Sequence, residues 1–177
     1  MSEVEKEVIN LLGGERLLGK SIHNTFDLVD LIQEGFPTLT LFYVKECLSI
    51  TDNDLALNLG ISEKTLHRYR NSVFHGSVFI SHTHSDDDLQ TFFKKLTKNR
   101  KILDYRLNPV TSDRLYRFAK IYAMAVEVFG ELNEAQKWLR SPQIGLNGRI
   151  PLELIATEAG AQEVKDLLGR IEYGVFS

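Results

Sequence analysis

Hydrophobic residues recur along most of this chain at the three-and-four-residue spacing of amphipathic helices. In the first half, this pattern predicts helices over residues 3–12, 24–34, 38–48, 52–59 and 63–70. Glycine and proline residues at 13–14, 35–37 and 60 separate these segments and predict turns between them.

The second half continues the helical pattern. A long helix is predicted beyond Thr111, and Gly130 follows it at the position that glycine often takes after a helix. Its apolar face carries Leu115, Phe118, Ala119, Tyr122, Val126 and Phe129. Asn133 and Gln136 predict a capping box that opens a short helix through Trp138, and Pro151 predicts the start of another.

The final predicted helix carries one apolar stripe. The stripe consists of Val164, Leu167, Leu168, Ile171 and Val175. Only residues 77–81 have a strand-like pattern. Because the rest of the pattern is helical, the predicted fold class is all-α.

Composition and charge restrict the class of protein. The chain has 177 residues, of which 43% are hydrophobic and 25% charged, as is typical of a globular chain with a sizeable core. It has no apolar run of the roughly 18 residues that span a membrane, and its first residues are acidic rather than signal-like. The single cysteine, Cys47, excludes an intramolecular disulfide and fits a reducing compartment. We therefore expect a cytoplasmic protein without a membrane partner.

The last residues of the sequence are unusually apolar. Most domains end in polar, frayed residues, whereas Tyr173, Val175 and Phe176 would expose large apolar side chains unless another surface covers them. That surface is either the chain's own core or a pocket of a partner.

Residues 51–70 carry the pattern of a helix-turn-helix. Ala56 is small where the two helices would cross, and Gly60 permits the left-handed backbone that reverses the chain. Ile61 would fill the angle between the helices, and Ser62 would cap the second one.

The second helix of this motif is the candidate for a DNA-reading helix. In a major groove its residues would lie near base edges or phosphates. The candidate contacts are Ser62, Lys64, Thr65, Arg68, Tyr69 and Arg70. The Glu63 carboxylate would repel phosphate. The alternative to a DNA-reading motif is a helical hairpin that serves only dimerisation.

Two segments are basic although the net charge is −3. Residues 64–70 hold Lys64, Arg68 and Arg70 without an acid, and residues 94–106 hold six basic residues against Asp104. Local fields decide nucleic-acid binding more than the total charge does. These segments are therefore either phosphate-binding surfaces or solvated helix faces.

Residues 78–88 contain a His-x-His-x-Asp spacing at His82, His84 and Asp86 that is similar to a metallohydrolase motif. A binuclear site would need further ligands, but Asp87 stands where another histidine is required and no histidine follows His84. We therefore predict no metal, no cofactor and no catalytic residue. The expected structure is an exposed turn in which Ser85 caps a helix with acids in its first turn.

Motifs from Leu107 onward occur in the order and spacing of a known family. They lie at residues 106–109, 112–117, 128–130, 135–139, 146–154, 157–161, 164 and 166–176, and residues 11–14 and the helix-turn-helix also match. These motifs resemble the Xre/MbcA/ParS family of Xre-type antitoxins, which are encoded beside RES-domain toxins.

The resemblance implies two linked activities, neither of them enzymatic. The C-terminal domain would bind and inhibit a RES-domain toxin, an enzyme that consumes NAD, and the helix-turn-helix would bind operator DNA as a homodimer and repress the shared operon. The end of the chain would enter the nucleotide pocket of the toxin, with Arg170 and the terminal carboxylate available for ion pairs. The candidate contacts are Arg170, Tyr173, Gly174, Val175, Phe176 and Ser177.

The resemblance also divides the chain into an N-terminal helical domain (1–70), an insertion (71–105) and a toxin-binding domain (106–177). Family members pass from the second helix to the Arg-Leu-x-Pro element within about a dozen residues, whereas roughly thirty intervene here. An alternative function is a dimeric protein-interaction module that does not bind DNA and whose helix-turn-helix is only structural.

Overall fold

The computed structural model describes residues 2–74 and 86–174, which form helices joined by short turns and contain no strand. The predicted all-α class is therefore confirmed for these residues. No helix in this part of the chain is long and apolar enough to cross a membrane. The helices are α1 Glu3–Leu11, α2 Gly14–Leu18, α3 Thr25–Glu34, α4 Thr38–Cys47, α5 Asp52–Leu59, α6 Glu63–Phe74, α7 Asp86–Leu96, α8 Pro109–Phe129, α9 Leu132–Leu139, α10 Pro151–Leu154 and α11 Glu158–Glu172. Two 3₁₀ turns cover Arg100–Asp104 and Ile144–Leu146, and the strand-like segment 77–81 lies outside the described residues.

The helix boundaries differ from the predicted ones where tertiary contacts decide them. Gly13 and Gly14 both have positive φ, and a short helix, α2, begins at Gly14, where the sequence predicted only a turn. Helix α6 continues to Phe74 rather than ending at Arg70, because Val73 and Phe74 are buried in the core.

The predicted capping box at Asn133 is wrong. Helix α9 begins at Leu132, and its N-cap, Glu131, makes no side-chain capping bond. Gly130 ends α8 in the left-handed conformation, and the next helix starts two residues later. Asn133 therefore lies within the first turn of α9, where it cannot act as the N-cap.

Helix α8 is the centre of the fold. It packs against α1, α3 and α5, which precede it in the sequence, and against α9 and α11, which follow it. Its fully buried residues include Leu115, Phe118, Ile121 and Tyr122. Burial raises the pKa of the Tyr122 phenol to about 12, so this side chain stays neutral in the core. The core is continuous across residue 105, where the sequence predicted a domain boundary.

Residues of the predicted insertion are part of the same core. Phe93 of α7 is fully buried, and its ring centroid lies 5.2 Å from that of Tyr43 in an edge-on contact. Gln90 donates a hydrogen bond of 2.6 Å to the Tyr43 hydroxyl. Helix α7 is thus packed on α4.

Two backbone hydrogen bonds fix the chain where it leaves this insertion and enters α8. The Thr38 N–H donates to the Tyr105 carbonyl at 2.7 Å, and the Leu107 N–H donates to the Phe36 carbonyl at 2.9 Å. The start of α4 therefore holds the segment that precedes α8.

Ser112 completes the attachment of α8 to this segment. Its hydroxyl is fully buried, accepts a hydrogen bond of 2.9 Å from the Phe36 N–H and donates one of 3.0 Å to the Asn108 carbonyl. A buried N–H without a partner is costly, so the serine satisfies the one donor that Phe36 presents there.

We expect Ser112→Ala to lower the free energy of unfolding by about 1–3 kcal/mol, because it leaves the buried Phe36 N–H without an acceptor. Urea titration followed by circular dichroism measures this change. The matched control is Ser141→Ala, which removes an exposed hydroxyl that donates to the Lys137 carbonyl and should change stability by less than about 0.5 kcal/mol. Equal effects of the two substitutions would contradict the role given to Ser112.

Candidate functional site

The turn between α5 and α6 has the geometry that the sequence predicted. Gly60 adopts a left-handed backbone with φ 58°, and the Ile61 N–H donates to the Ala56 carbonyl at 3.0 Å. The Ser62 hydroxyl accepts a hydrogen bond of 3.1 Å from the Thr65 N–H. The predicted reversal at Gly60 and the predicted N-cap at Ser62 are both confirmed.

Helix α6 presents one polar face to solvent. Leu66 is buried, whereas Ser62, Lys64 and Arg68 are exposed and Thr65 is half-buried. The exposed face carries two cations, Lys64 and Arg68, that make no ion pair with another described residue. This face can approach an anionic surface.

Arg70 has a different position from the other candidate contacts. Its guanidinium lies 2.7 Å from the Asp52 carboxylate and over the Phe42 ring at 5.7 Å from the ring centroid. Lys45 lies 3.5 Å from the same carboxylate. Burial of Asp52 opposes its ionisation, but the hydrogen bond from Arg70 and the charges of Lys45 and Arg70 hold its pKa below the usual value. Arg70 therefore joins the two helices of the motif.

Tyr69 is also partly used by the fold. It is half-buried, and its hydroxyl accepts a hydrogen bond of 3.4 Å from the Asn108 amide. The Arg68 guanidinium lies 5.8 Å from the centroid of the Tyr69 ring. Tyr69 thus connects the end of the exposed face to the start of α8.

Arg114 of α8 holds the turn of the motif. Its Nη1 donates to the Leu59 carbonyl at 2.8 Å and to the Gly60 carbonyl at 3.4 Å. A cation at the C-terminal end of α5 is favourable to the helix dipole. A Cβ added at Gly60 would lie 2.0 Å from Arg114 Nη1, so a side chain there would displace the guanidinium from the turn, whereas the left-handed backbone itself favours glycine.

Arg117, about one turn further along α8, is also paired within the chain. It pairs with Glu158 at the start of α11 and lies 3.7 Å from Asp113. Both arginines on the polar side of α8 are therefore engaged within the chain, one toward α5 and one toward α11.

Helix α11 is held firmly where it begins. The Thr157 hydroxyl accepts a hydrogen bond of 3.1 Å from the Gly160 N–H. A Cβ at Gly160 would lie 2.2 Å from the Leu154 carbonyl oxygen, so glycine allows α10 and α11 to approach closely. The buried residues Val164 and Leu168 lie on the predicted apolar stripe.

The end of α11 extends into solvent. Tyr173 is 78% exposed, and Gly174 is exposed with φ 65°. Arg170 is half-buried, and its Nε has no hydrogen-bond partner among the described residues. Val175, Phe176 and Ser177 lie outside the described residues. The alternative in which the chain's own core covers the last residues does not hold for Tyr173.

Sequence reasoning missed an exposed apolar residue beside α11. Ile144 is 97% exposed on a 3₁₀ turn that packs against α11, and a Cβ at Gly145 would lie 2.6 Å from Leu167 of that helix. The only signal in the sequence is an isoleucine in a turn rich in glycine and asparagine. Trp138 of α9 is half-buried, and its ring centroid lies 5.4 Å from that of Phe129.

No group of metal-binding side chains occurs in residues 2–74 and 86–174. His82 and His84 lie outside these ranges, and Asp86 is the first residue of α7. The interpretation of this motif as a helix start without a metal stays a prediction.

Residues 124–174 match the family model of the antitoxin Xre/MbcA/ParS C-terminal toxin-binding domain. The matched segment runs from the second half of α8 to Gly174, the last described residue. It contains Ile144 and the exposed end of α11.

Three curated relatives are called Antitoxin Xre. The relative from Yersinia enterocolitica is 44% identical over 85 residues, which are 48% of this chain and 57% of that protein. The relative from Pseudomonas putida is 39% identical over 77 residues, 44% of this chain and 48% of that protein. The relative from Photorhabdus laumondii is 39% identical over 67 residues, 37% of this chain and 45% of that protein.

The chain thus spans about half the length of the curated relatives that it matches. The family match and the three relatives agree with each other and with the resemblance found in the sequence. Residues 124–174 of the chain are thus similar to the C-terminal toxin-binding domain of the Xre/MbcA/ParS antitoxin family.

Proposed function

We propose that this protein is an antitoxin of a toxin-antitoxin system, which binds its toxin through the C-terminal helices and operator DNA through the α5–α6 motif. The observation that carries the proposal is the position of the family match, which extends to the exposed end of α11. The toxin is a RES-domain enzyme that consumes NAD, as the sequence resemblance implies.

Inhibition of the toxin occurs by occupation of its nucleotide pocket. A pocket for a nucleotide is concave and largely apolar, and an aromatic side chain is an efficient anchor in such a pocket. Tyr173 is the described aromatic residue at the end of α11, and Val175 and Phe176 follow it in the sequence. Arg170, one turn before Tyr173, is half-buried and carries the positive charge that would pair with a toxin anion.

The structure supports this role because α11 is a regular helix that is anchored at its start and ends directly before Tyr173. The Thr157 cap, the close approach of Gly160 to Leu154 and the Arg117–Glu158 ion pair fix the start of the helix. A helix that is ordered before binding loses less conformational entropy when the complex forms.

We expect Tyr173→Ala to weaken inhibition of the partner toxin at least tenfold, because an interface anchor contributes on the order of 2 kcal/mol or more. Deletion of residues 173–177 should abolish inhibition. NAD consumption by the purified toxin, titrated with each variant, measures both effects. Thermal unfolding should be unchanged, since Tyr173 contributes little to the core.

The matched control for Tyr173 is Phe26→Ala, because Phe26 is 79% exposed and lies on α3, outside the matched domain. It should inhibit as the unaltered protein does. Full inhibition by the variant that lacks residues 173–177 would refute occupation of the pocket by this segment.

The DNA-binding part of the proposal rests on the exposed face of α6. Ser62, Lys64, Thr65 and Arg68 face the major groove, and Tyr69 lies at the edge of this surface. Arg70 supports the helix through Asp52 instead of contacting a phosphate. A homodimer would read an inverted repeat with half-sites about 34 Å apart and repress the operon that encodes it.

We expect the double variant Lys64→Ala with Arg68→Ala to lose at least tenfold in affinity for the operator, since each good base contact contributes about 1–3 kcal/mol. Fluorescence anisotropy with operator and scrambled duplexes measures the loss and its sequence specificity. The control is the double variant Lys6→Ala with Lys137→Ala, which also removes two positive charges. Both lysines are exposed and distant in sequence from the motif.

Specific operator affinity that survives the Lys64 and Arg68 substitutions would remove α6 as the reading helix. If the unaltered protein binds no promoter DNA while it still inhibits the toxin, the alternative function of a dimeric interaction module is correct. In that case the α5–α6 motif is only structural.

A further inference from the structure

A groove lined by basic residues lies between α2 and the C-terminal end of α7. It is a hollow of about 580 Å³ lined by Arg16, Lys20, Lys94, Lys98 and Arg100, with Glu15 at its side. A second hollow of about 530 Å³ shares Arg16 and Lys94 with the first and continues it along both helices. We call this elongated surface the basic groove.

The cations of the basic groove are largely uncompensated. Lys20 lies 3.4 Å from Glu34, whereas the other four make no ion pair with a described residue. The Glu15 carboxylate accepts hydrogen bonds from the Ile22 N–H at 3.0 Å and from the Ser21 hydroxyl at 3.2 Å. A concave surface lined by one sign of charge concentrates its field and attracts ions of the opposite sign.

The lining favours phosphate groups over other anionic partners. No aromatic residue lines the described groove, so it offers no surface on which a base or a nucleotide ring stacks. Its apolar residues, Leu17 and Leu103, are buried, so it also lacks the exposed apolar anchors of a protein interface. An extended chain of phosphates fits both its shape and its chemistry.

The basic groove lies close to the proposed DNA-reading helix. Phe42 of α4 contacts Phe74 of α6, and the next residue, Tyr43, contacts Phe93 of α7, with ring centroids 5.3 and 5.2 Å apart. Because α6 and α7 both pack on α4 and packed helix axes lie about 8–10 Å apart, the axes of α6 and α7 are within about 20 Å at Phe74 and Phe93. That separation is shorter than one turn of duplex DNA, about 34 Å.

We propose that the basic groove binds the phosphate backbone of duplex DNA next to the base pairs read by α6. This inference rests on the DNA-binding part of the proposed function. Its contacts are independent of sequence, because the groove presents ammonium and guanidinium groups to phosphates and nothing to base edges. Residues 94–100, in the segment between α6 and α8, thereby enlarge the DNA contact of the motif.

The test compares Lys94→Gln with Lys98→Gln against the control Lys6→Gln with Lys137→Gln in the full chain. Both double variants remove two exposed positive charges, and equal thermal unfolding of the two verifies the fold. Binding to the operator and to a random duplex is measured by anisotropy over a series of salt concentrations. In the groove variant, the negative slope of log affinity against log salt should become shallower by about 2 on both duplexes, since each neutralised phosphate contributes about 0.9 to its magnitude. The control should leave it unchanged.

The outcomes separate this inference from the proposed function. An unchanged slope for the groove variant, together with loss of operator preference in the Lys64 and Arg68 variant, would overturn DNA binding by the basic groove and leave the proposed function intact. Absence of any duplex binding by the unaltered protein overturns both. Tripolyphosphate is the probe for a small-anion site: if its binding depends on Lys94 and Lys98 while the salt dependence of duplex binding does not, the groove binds small anions and the assignment to DNA is wrong.

Discussion

The packing of α8 is the constraint on which the rest of the structure depends. This helix buries Leu115, Phe118, Ile121 and Tyr122 between helices that precede it and helices that follow it. The elements that would bind DNA and those that match the toxin-binding domain therefore share one continuous core.

Two arginines on the polar side of α8 hold the neighbouring helices α5 and α11 in place. Arg114 donates to the backbone at the end of α5, and Arg117 pairs with Glu158 at the start of α11, about one helical turn further along α8. Through these side chains the same helix sets the position of the α5–α6 turn and the direction of α11. One helix thus holds both the α5–α6 turn and the start of α11.

The sequence predicted the helices, the Gly60 turn and the Ser62 cap because periodicity and capping are local signals. It did not predict that Arg70 pairs with Asp52 or that Arg114 binds the Gly60 carbonyl, since those partners are 18 and 54 residues away. The capping box at Asn133 failed because the turn at Gly130 places the helix start at Leu132. The exposure of Ile144 and the shape of the basic groove depend on contacts between helices that are distant in sequence. The pattern of residues along one segment does not predict such contacts.

Scanning calorimetry of the full chain tests the central claim, that α8 joins both halves into one cooperative core. The account predicts a single unfolding transition with equal calorimetric and van't Hoff enthalpies. Two separate transitions, one for the helices before α8 and one for those after it, would contradict it.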